Sequence, residues 1–397
     1  MEWRTNTERR QLCQFGVITM TSQLPRTPTD KQIQDLYRGC LLGGAVGDAL
    51  GAPVEFMSRG QIVQRFGPGG FQEYVPAFGK LGAITDDTQM TLFTAEGVMR
   101  SWVRGNVRGI CSMPCVIARS YQRWLHTQGQ HHAMQDEGLD GWLMGHKELF
   151  SRRAPGITCL SGLQNMRESN EAAKNNSKGC GGVMRVAPIG MYYATLSGNK
   201  RQYQDESMKD SFERGCQAAA ITHGHATGQL ASGAFAAIVM KLLVGVSLPQ
   251  ATDAVLPLLL AQPGHEETLS AIVLARRLAS SRPNDVEALP QLGEGWIAEE
   301  ALAIALYCAL SAQDFRSGVV LAVNHSGDSD STGSIAGQLL GAMHGVRAIP
   351  ESWLKPLELR SVIQEMADDL ASLNEWDLVS EYSADEADYY IKKYPGW

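Results

Sequence analysis

Apolar residues recur along most of the chain at the three- and four-residue spacing of amphipathic helices, and alternating runs typical of strands are few. Alanine, leucine, methionine and glutamine, which favour helices, are frequent in these segments. The polar stretches Ser197–Asp210 and Ser280–Asp285 are predicted to be surface loops. The predicted helices are Gln32–Leu50, Thr88–Trp102, Pro114–Leu125, Arg214–Thr222, Gly228–Val244, Glu299–Ala312, Phe315–Val323 and Ser334–Val346. We therefore expect an all-α fold.

Composition narrows the class of protein further. The chain has 397 residues, of which 44% are hydrophobic and 19% charged, so it can bury a large core. Its net charge of −7 argues against a general nucleic-acid binder, and no apolar stretch is long enough to predict a transmembrane helix. The eight scattered cysteines form no CxxC pair, which argues against structural zinc and indicates free, buried thiols. No signal peptide is recognisable, and we expect a cytoplasmic protein without nucleic-acid or membrane partners.

The pattern divides the chain into two parts. Residues 1–30 are polar, carry Pro25 and Pro28 and show no lasting period, so they are predicted to be an extension that is either disordered or binds a partner. A start at Met20 would shorten this extension. Residues 31–397 show no linker and are predicted to form a single domain, with the acidic, aromatic segment Glu381–Trp397 docked on its core.

Glycine recurs inside the first predicted helix. Gly43, Gly47 and Gly51 lie four residues apart and share one helix face. An interior glycine costs about 1 kcal/mol relative to alanine, so a repeated one indicates close backbone approach. Such a stripe also occurs in membrane helix dimers, but Asp48 interrupts this one, and tight packing in a helical core is the better interpretation.

Two acidic clusters precede predicted helices. The first is Thr85-Asp86-Asp87-Thr88, and the second runs from Gly327 to Gly333 as GDSDSTG. Helix capping alone would explain one side-chain oxygen in each cluster, whereas each supplies three or more. The second cluster is not an EF-hand loop, because Leu339 stands where the bidentate glutamate would be. Four aspartates with Thr85 and Ser331 could together hold two divalent cations.

Three further segments are candidates with weaker signals. Glu55 follows Pro53, and from this segment alone a solvated turn glutamate is the better interpretation. The segment from Gly179 to Arg185, GCGGVMR, offers backbone N–H groups to a phosphate but matches neither a P-loop nor a dinucleotide fingerprint. His223 and His225 do not share a helix face, so a ligand contact or a core histidine is favoured over a metal pair.

Together these segments resemble one family. The run from Gly39 to Gly51, GCLLGGAVGDALG, followed by Glu55, the two acidic clusters, the GCGGVMR segment and Thr222-His223 are similar in type and order to the ADP-ribosylglycohydrolases. The resemblance covers roughly Gln32–Arg347. It implies an all-α fold with a binuclear Mg²⁺ or Mn²⁺ centre in a cleft.

The resemblance also implies roles for individual residues. Glu55 and Asp328 would be catalytic, and His223 would lie beside ADP-ribose. The implied metal ligands are Thr85, Asp86, Asp87, Asp328, Asp330 and Ser331. The implied cradle for the diphosphate or distal ribose is Gly179, Cys180, Gly181, Gly182, Val183 and Met184. The family often has threonine where this chain has Ser331, which keeps the hydroxyl.

The expected activity is hydrolysis of ADP-ribose from modified protein side chains, most often arginine. It would reverse endogenous ADP-ribosylation or give immunity to an ADP-ribosylating toxin. An alternative is a binding protein that occludes a toxin with residues 1–30, for which Trp3 and nearby arginines are candidate anchors. A family member without catalysis, and hydrolysis of a free small molecule such as O-acetyl-ADP-ribose, also remain as alternatives.

Overall fold

Helices joined by short turns make up the protein, and the described part of the chain contains no β-sheet. The computed structural model describes residues 30–130, 139–169, 171–198, 201–379 and 384–396. The α-helices are α1 Asp30–Gly51, α2 Arg59–Phe66, α3 Asp86–Arg108, α4 Met113–Thr127, α5 Ile157–Gln164, α6 Ala187–Ser197, α7 Arg201–Ala220, α8 Ala226–Leu243, α9 Leu248–Leu260, α10 Glu266–Ser281, α11 Ala298–Ser311, α12 Phe315–Ala322, α13 Ser329–His344, α14 Glu351–Leu354, α15 Arg360–Ser372 and α16 Ala384–Lys393. Short 3₁₀ turns are Trp142–Gly145, Lys147–Phe150, Cys180–Gly182, Val286–Gln291, Val346–Ala348 and Leu373–Glu375.

The predicted helices are all present, several of them longer than expected. The first acidic cluster enters α3 itself, which begins at Asp86, and the second enters α13, which begins at Ser329. One expected loop is wrong: most of Ser197–Asp210 lies in α7, whose first turns are polar because they face solvent. Several helices were not predicted, among them α9, whose run of leucines shows little polar contrast.

The glycine stripe of α1 packs backbone to backbone against α13. A Cβ added at Gly47 would overlap the carbonyl oxygen of Gly333, and one added at Gly337 would overlap that of Gly43. The same close approach joins Gly39 to Gly341. The stripe therefore serves tight packing in a helical core, as expected, and α13 carries a matching stripe that the sequence analysis did not single out.

One large hydrophobic core lies between the helices. Helix α8 is long and apolar enough to cross a membrane by length and composition, but 89% of its 18-residue window is buried by the protein's own helices. The C-terminal segment docks on the core as predicted: Tyr394 is fully buried, and its hydroxyl and the Lys393 amine both contact the carboxylate of Asp369.

The cysteines in the described residues are all free thiols. Most are buried or half-buried, as expected, whereas Cys111 is exposed. Cys13 and the rest of residues 1–29 lie outside the described residues, as does the predicted role of this extension.

Candidate functional site

The amino-terminal end of α3 is fixed by a buried carboxylate on α1. Asp48, one residue beyond Gly47, accepts hydrogen bonds from the backbone N–H of Thr85 at 3.0 Å and of Thr88 at 3.1 Å. It also accepts from the hydroxyl of Thr85 at 2.8 Å and from that of Thr88. Because these four donors converge on one carboxylate, the first turn of α3 is locked to the glycine-rich packing of α1 against α13.

The amino-terminal end of α13 lies beside it. Asp328 caps this helix by accepting from the Ser331 N–H at 3.2 Å, and Asp330 accepts from the same N–H at 2.9 Å. At α3 the corresponding cap is Thr85, which accepts from the Asp87 N–H at 3.3 Å. Each cluster therefore uses some of its oxygens for capping, and in the first cluster Asp87 Oδ1 has no hydrogen-bond partner among the described residues.

The carboxylates are buried without compensating cations. Asp86, Asp87, Asp328 and Asp330 are all buried, and none of the ion pairs found among the described residues includes them. Burial raises the pKa of Asp86 to about 8, despite the hydrogen bond that its Oδ2 accepts from the Gly156 N–H. Burial and neighbouring carboxylates also raise the pKa of Asp87 and of Asp330 well above the usual range.

Glu55 joins this cluster from the turn after α1. Its side chain is 8% exposed, so the interpretation as a solvated turn residue is wrong. One carboxylate oxygen each from Glu55, Asp328 and Asp330 lie within 4.8 Å of one another. Burial, Asp328 and Asp86 raise the pKa of Glu55 to about 8.

The donor set fits a divalent metal ion. Carboxylate and hydroxyl oxygens are the ligands that Mg²⁺ and Mn²⁺ prefer. Within the described chain, Asp87 Oδ1 is buried with no hydrogen-bond partner, a state that is costly unless a cation or other donor satisfies it. The residues that would hold metal are those of the two helix starts, with Glu55 beside them.

The glycine segment lies against the second cluster, but only its start faces the cleft. The Cys180 thiol donates to Asp328 Oδ2 at 2.8 Å, and the N–H of Cys180 donates to the carbonyl of Trp296 at 3.1 Å. Gly179 and Cys180 are half-buried, whereas Gly181 and Gly182 are buried and Val183 packs in the hydrophobic core. The expected cradle would use backbone N–H groups, and that of Val183 already donates to the Cys180 carbonyl at 2.9 Å.

Met184, within this segment, and His223, which packs against it, are both buried. The Met184 sulfur is 3.9 Å from Ser331 Oγ. His223 is buried, hydrogen-bonds through Nδ1 to Thr222 Oγ1 at 2.8 Å, and has its pKa lowered to about 3 by burial and by Arg185. It packs beside Gly179 and Gly181 as a neutral ring. His225 instead caps α8 by accepting from the Thr227 N–H, so the two histidines form no metal pair.

Two contributions to the site were not assigned from the sequence. Asp48 was noted only as an interruption of an apolar stripe, although a lone carboxylate in such a run is itself a signal of a buried polar role. The contact of Cys180 with Asp328 joins residues 148 positions apart, and no local pattern in the sequence announces it.

Comparisons with known proteins identify the family. A family model described as ADP-ribosylglycohydrolase matches residues 29–378. The chain belongs to the ADP-ribosylglycohydrolase family. It is 27% identical to the ADP-ribosyl-dinitrogen reductase glycohydrolase of Rhodospirillum rubrum over 84% of this chain and 93% of that protein. It is 25% identical to the ADP-ribosylarginine hydrolase Tri1 of Pseudomonas putida over 87% of this chain and 80% of that protein.

A solved structure gives the same result for the fold. An ADP-ribosylglycohydrolase-related protein complex aligns with a TM-score of 0.60 and 26% identity, over 86% of this chain and 99% of that chain. The predicted family and the all-α fold are confirmed. The protein is a hydrolase of a metal-dependent family that acts on ADP-ribosylated proteins, and its acidic cluster is suited to bind metal.

Proposed function

We propose that this ADP-ribosylglycohydrolase removes ADP-ribose from modified arginine side chains and uses two Mg²⁺ or Mn²⁺ ions. The arginine linkage is supported by the similarity to the ADP-ribosylarginine hydrolase of Pseudomonas putida. The observation that carries the proposal is the convergence of two buried acidic helix starts, whose carboxylates raise one another's pKa, with Asp87 Oδ1 unpartnered among the described residues.

The side chains suit cleavage of a bond between an anomeric carbon and a nitrogen. Such cleavage passes through an oxocarbenium-like state, which a nearby carboxylate group can assist while water attacks, and Asp328 and Asp330 would hold the metal ions. Burial and the neighbouring carboxyl groups raise the pKa of Glu55, and Glu55 would exchange a proton with the leaving group or with water. Bound metal ions would supply orientation of the ribose hydroxyls and of the attacking water.

The decisive experiment measures ADP-ribose release from an arginine-ADP-ribosylated protein, with Mg²⁺ and with a chelator. We expect release with Mg²⁺, none with the chelator, and none from an Asp328→Asn variant. The matched control is Asp314→Asn, because Asp314 caps α12 at an exposed position as Asp328 caps α13. Metal-independent release, or normal turnover by Asp328→Asn, would contradict the proposal.

The biological setting is proposed from the sequence. The protein would act in the cytoplasm, either reversing an endogenous modification or protecting against an ADP-ribosylating toxin. Residues 1–29, on which inhibition by occlusion would depend, lie outside the described residues. Protection against a toxin that is lost in Asp328→Asn but kept after deletion of residues 1–29 would support hydrolysis, and the reverse pattern would support occlusion.

A further inference from the structure

Two exposed aromatic rings stack on each other at the edge of the acidic cluster. Phe56 directly follows Glu55 and is 76% exposed, and Trp296 is 38% exposed. Their ring centroids are 5.7 Å apart and their planes differ by 21°. Large rings exposed to this degree offer outer faces that a ligand can contact.

Trp296 is held rigidly relative to the site. The carboxylate of Glu300 accepts from the N–H groups of Glu294 and Gly295, at 3.0 and 3.2 Å. Gly295 has φ +83°, and a Cβ added there would lie 2.8 Å from Thr332 Cγ2 and 3.4 Å from Asp328 Cβ. The loop that carries Trp296 is thus packed directly on the amino-terminal turn of α13.

The same loop touches both other parts of the site. The Asp328 N–H donates to the Glu294 carbonyl at 2.8 Å, and the Cys180 N–H donates to the Trp296 carbonyl at 3.1 Å. On the opposite side, Phe56 is joined by one peptide bond to Glu55, whose carboxylate lies among those of Asp328 and Asp330. The aromatic pair therefore spans the edge of the cleft where the cluster begins.

The charges around this pair favour a cation. Asp328 packs against Gly295, the residue before Trp296, and Glu294 is exposed beside it. Lys178, which precedes the glycine segment, is already paired with Glu267 at 2.7 Å and Glu299 at 2.5 Å. Aromatic faces next to carboxylates attract a planar guanidinium through both stacking and charge.

We propose that the stacked pair of Phe56 and Trp296 receives the guanidinium and aliphatic stem of the ADP-ribosylated arginine, and so selects the linked residue. This inference rests on the proposed function. The adenine lies at the other end of ADP-ribose, separated from the scissile bond by two riboses and the diphosphate. A ring adjacent in sequence to Glu55 is placed for the group that leaves, not for the nucleobase.

The test compares the substrate with its product. Kinetics are measured on an arginine-ADP-ribosylated peptide, and binding of free ADP-ribose, which lacks arginine, is measured by calorimetry with Mg²⁺. For Trp296→Ala and Phe56→Ala we expect kcat/KM to fall about two- to thirtyfold, mainly through KM. The affinity for ADP-ribose should stay within about twofold, because the inference assigns the rings to the arginine and not to ADP-ribose. Trp296→Phe should retain most of the activity, and Trp296→Leu should lose it as alanine does.

The control variant is Tyr203→Ala, which removes a ring that is 45% exposed on α7. It should change neither the kinetics on the peptide nor the affinity for ADP-ribose. An equal loss of ADP-ribose affinity in Trp296→Ala would place the rings at the adenosine end and overturn the inference. If both alanine variants had unchanged kinetics while the wild type was active, this inference would be overturned and the proposed function would not. No release by the wild type would overturn the proposed function, and this inference with it.

Discussion

The contact between α1 and α13 and the acidic cluster at its end are neighbours with opposite character. Along the contact, glycines bring two backbones together with no room for a side chain and no charge. At its end, buried carboxylates of like charge lie together, and Asp87 Oδ1 has no partner within the described chain. The glycine contact needs no further partner, whereas the carboxylates of the acidic cluster need a ligand such as a cation to compensate them.

The difference shows what the glycines achieve for the site. Carboxylates held close repel one another once they are ionised, and a flexible framework would let them move apart instead of remaining in place for a metal ion. Backbones in direct contact cannot shift in this way, because protein interiors resist compression. Asp48 joins the two regions, since it follows Gly47 and binds the first turn of α3. The tight packing thus preorganises the acidic cluster.

The largest expected effect comes from separating the two backbones. Gly47→Ala places a methyl group onto the carbonyl oxygen of Gly333. This oxygen belongs to the backbone of α13, which can move away only if its packing along α1 is disturbed. We expect the free energy of unfolding to fall by about 3 kcal/mol or more, measured by urea denaturation. The control is Gly105→Ala in α3, where the nearest atom to the added Cβ is 4.0 Å away. This change should stabilise by about 0.5–1 kcal/mol. Equal effects would contradict the close-packing argument.

Removing the link between the regions should affect activity more than stability. Asp48→Asn keeps one acceptor but turns the other oxygen into a donor that faces the donors of Thr85 and Thr88. We expect metal affinity and kcat/KM to fall by about 10- to 100-fold, as for other residues that orient metal ligands. Calorimetric Mn²⁺ binding and ADP-ribose release measure the two effects.

A control on the same helix separates positioning from general damage. Thr94→Val removes a hydroxyl that donates within α3 and contacts Tyr121 at 2.7 Å, away from the acidic cluster. This variant should lose stability and keep wild-type metal affinity. If Thr94→Val weakened metal binding as much as Asp48→Asn, Asp48 would have no specific positioning role.

The sequence analysis predicted the fold and the acidic residues well, for physical reasons. Helical periodicity and propensity are local, so the class of fold follows from them. Oxygen ligands in excess of capping needs marked Asp86, Asp87, Asp328 and Asp330, which the structure brings to one cleft. The role of Glu55 depended on the family resemblance, because its own segment predicts only a turn.

What the sequence did not show depends on contacts between distant segments. The glycine stripe of α13, the contact of Cys180 with Asp328 and the stacking of Phe56 on Trp296 each join residues far apart in the chain. Val183 shows a related limit, since the motif implied a cradle of backbone N–H groups and the Val183 N–H donates to the Cys180 carbonyl instead. The sequence motifs predicted which segments reach the site, whereas contacts between distant segments determine which of their atoms are accessible there.

The pH dependence of stability should distinguish the cluster from the rest of the protein. Unfolded Asp and Glu lose their protons near pH 4. In the folded metal-free protein the pKa is about 6 for Asp48 and about 8 for Glu55 and Asp86. Between these values the folded state binds more protons, so the free energy of unfolding decreases as pH rises from about 4 to 8. We expect Tm in a chelator to fall by several degrees from pH 5.5 to pH 8.

Bound metal should restore the stability that is lost as the pH rises. It should raise Tm more at pH 8 than at pH 5.5, because ligation favours the ionised carboxylates. Thermal unfolding with Mn²⁺ or with chelator at both pH values measures it. Asp330→Asn removes a buried carboxyl group that the metal-free fold must hold either charged or protonated at a cost at pH 8, so its Tm at pH 8 should rise. The matched control is Asp369→Asn, whose carboxylate is compensated by Lys393 at 2.6 Å, and its Tm should fall. A metal effect equal at both pH values, or a lower Tm in both variants, would mean that repulsion does not distinguish the cluster from the rest of the fold.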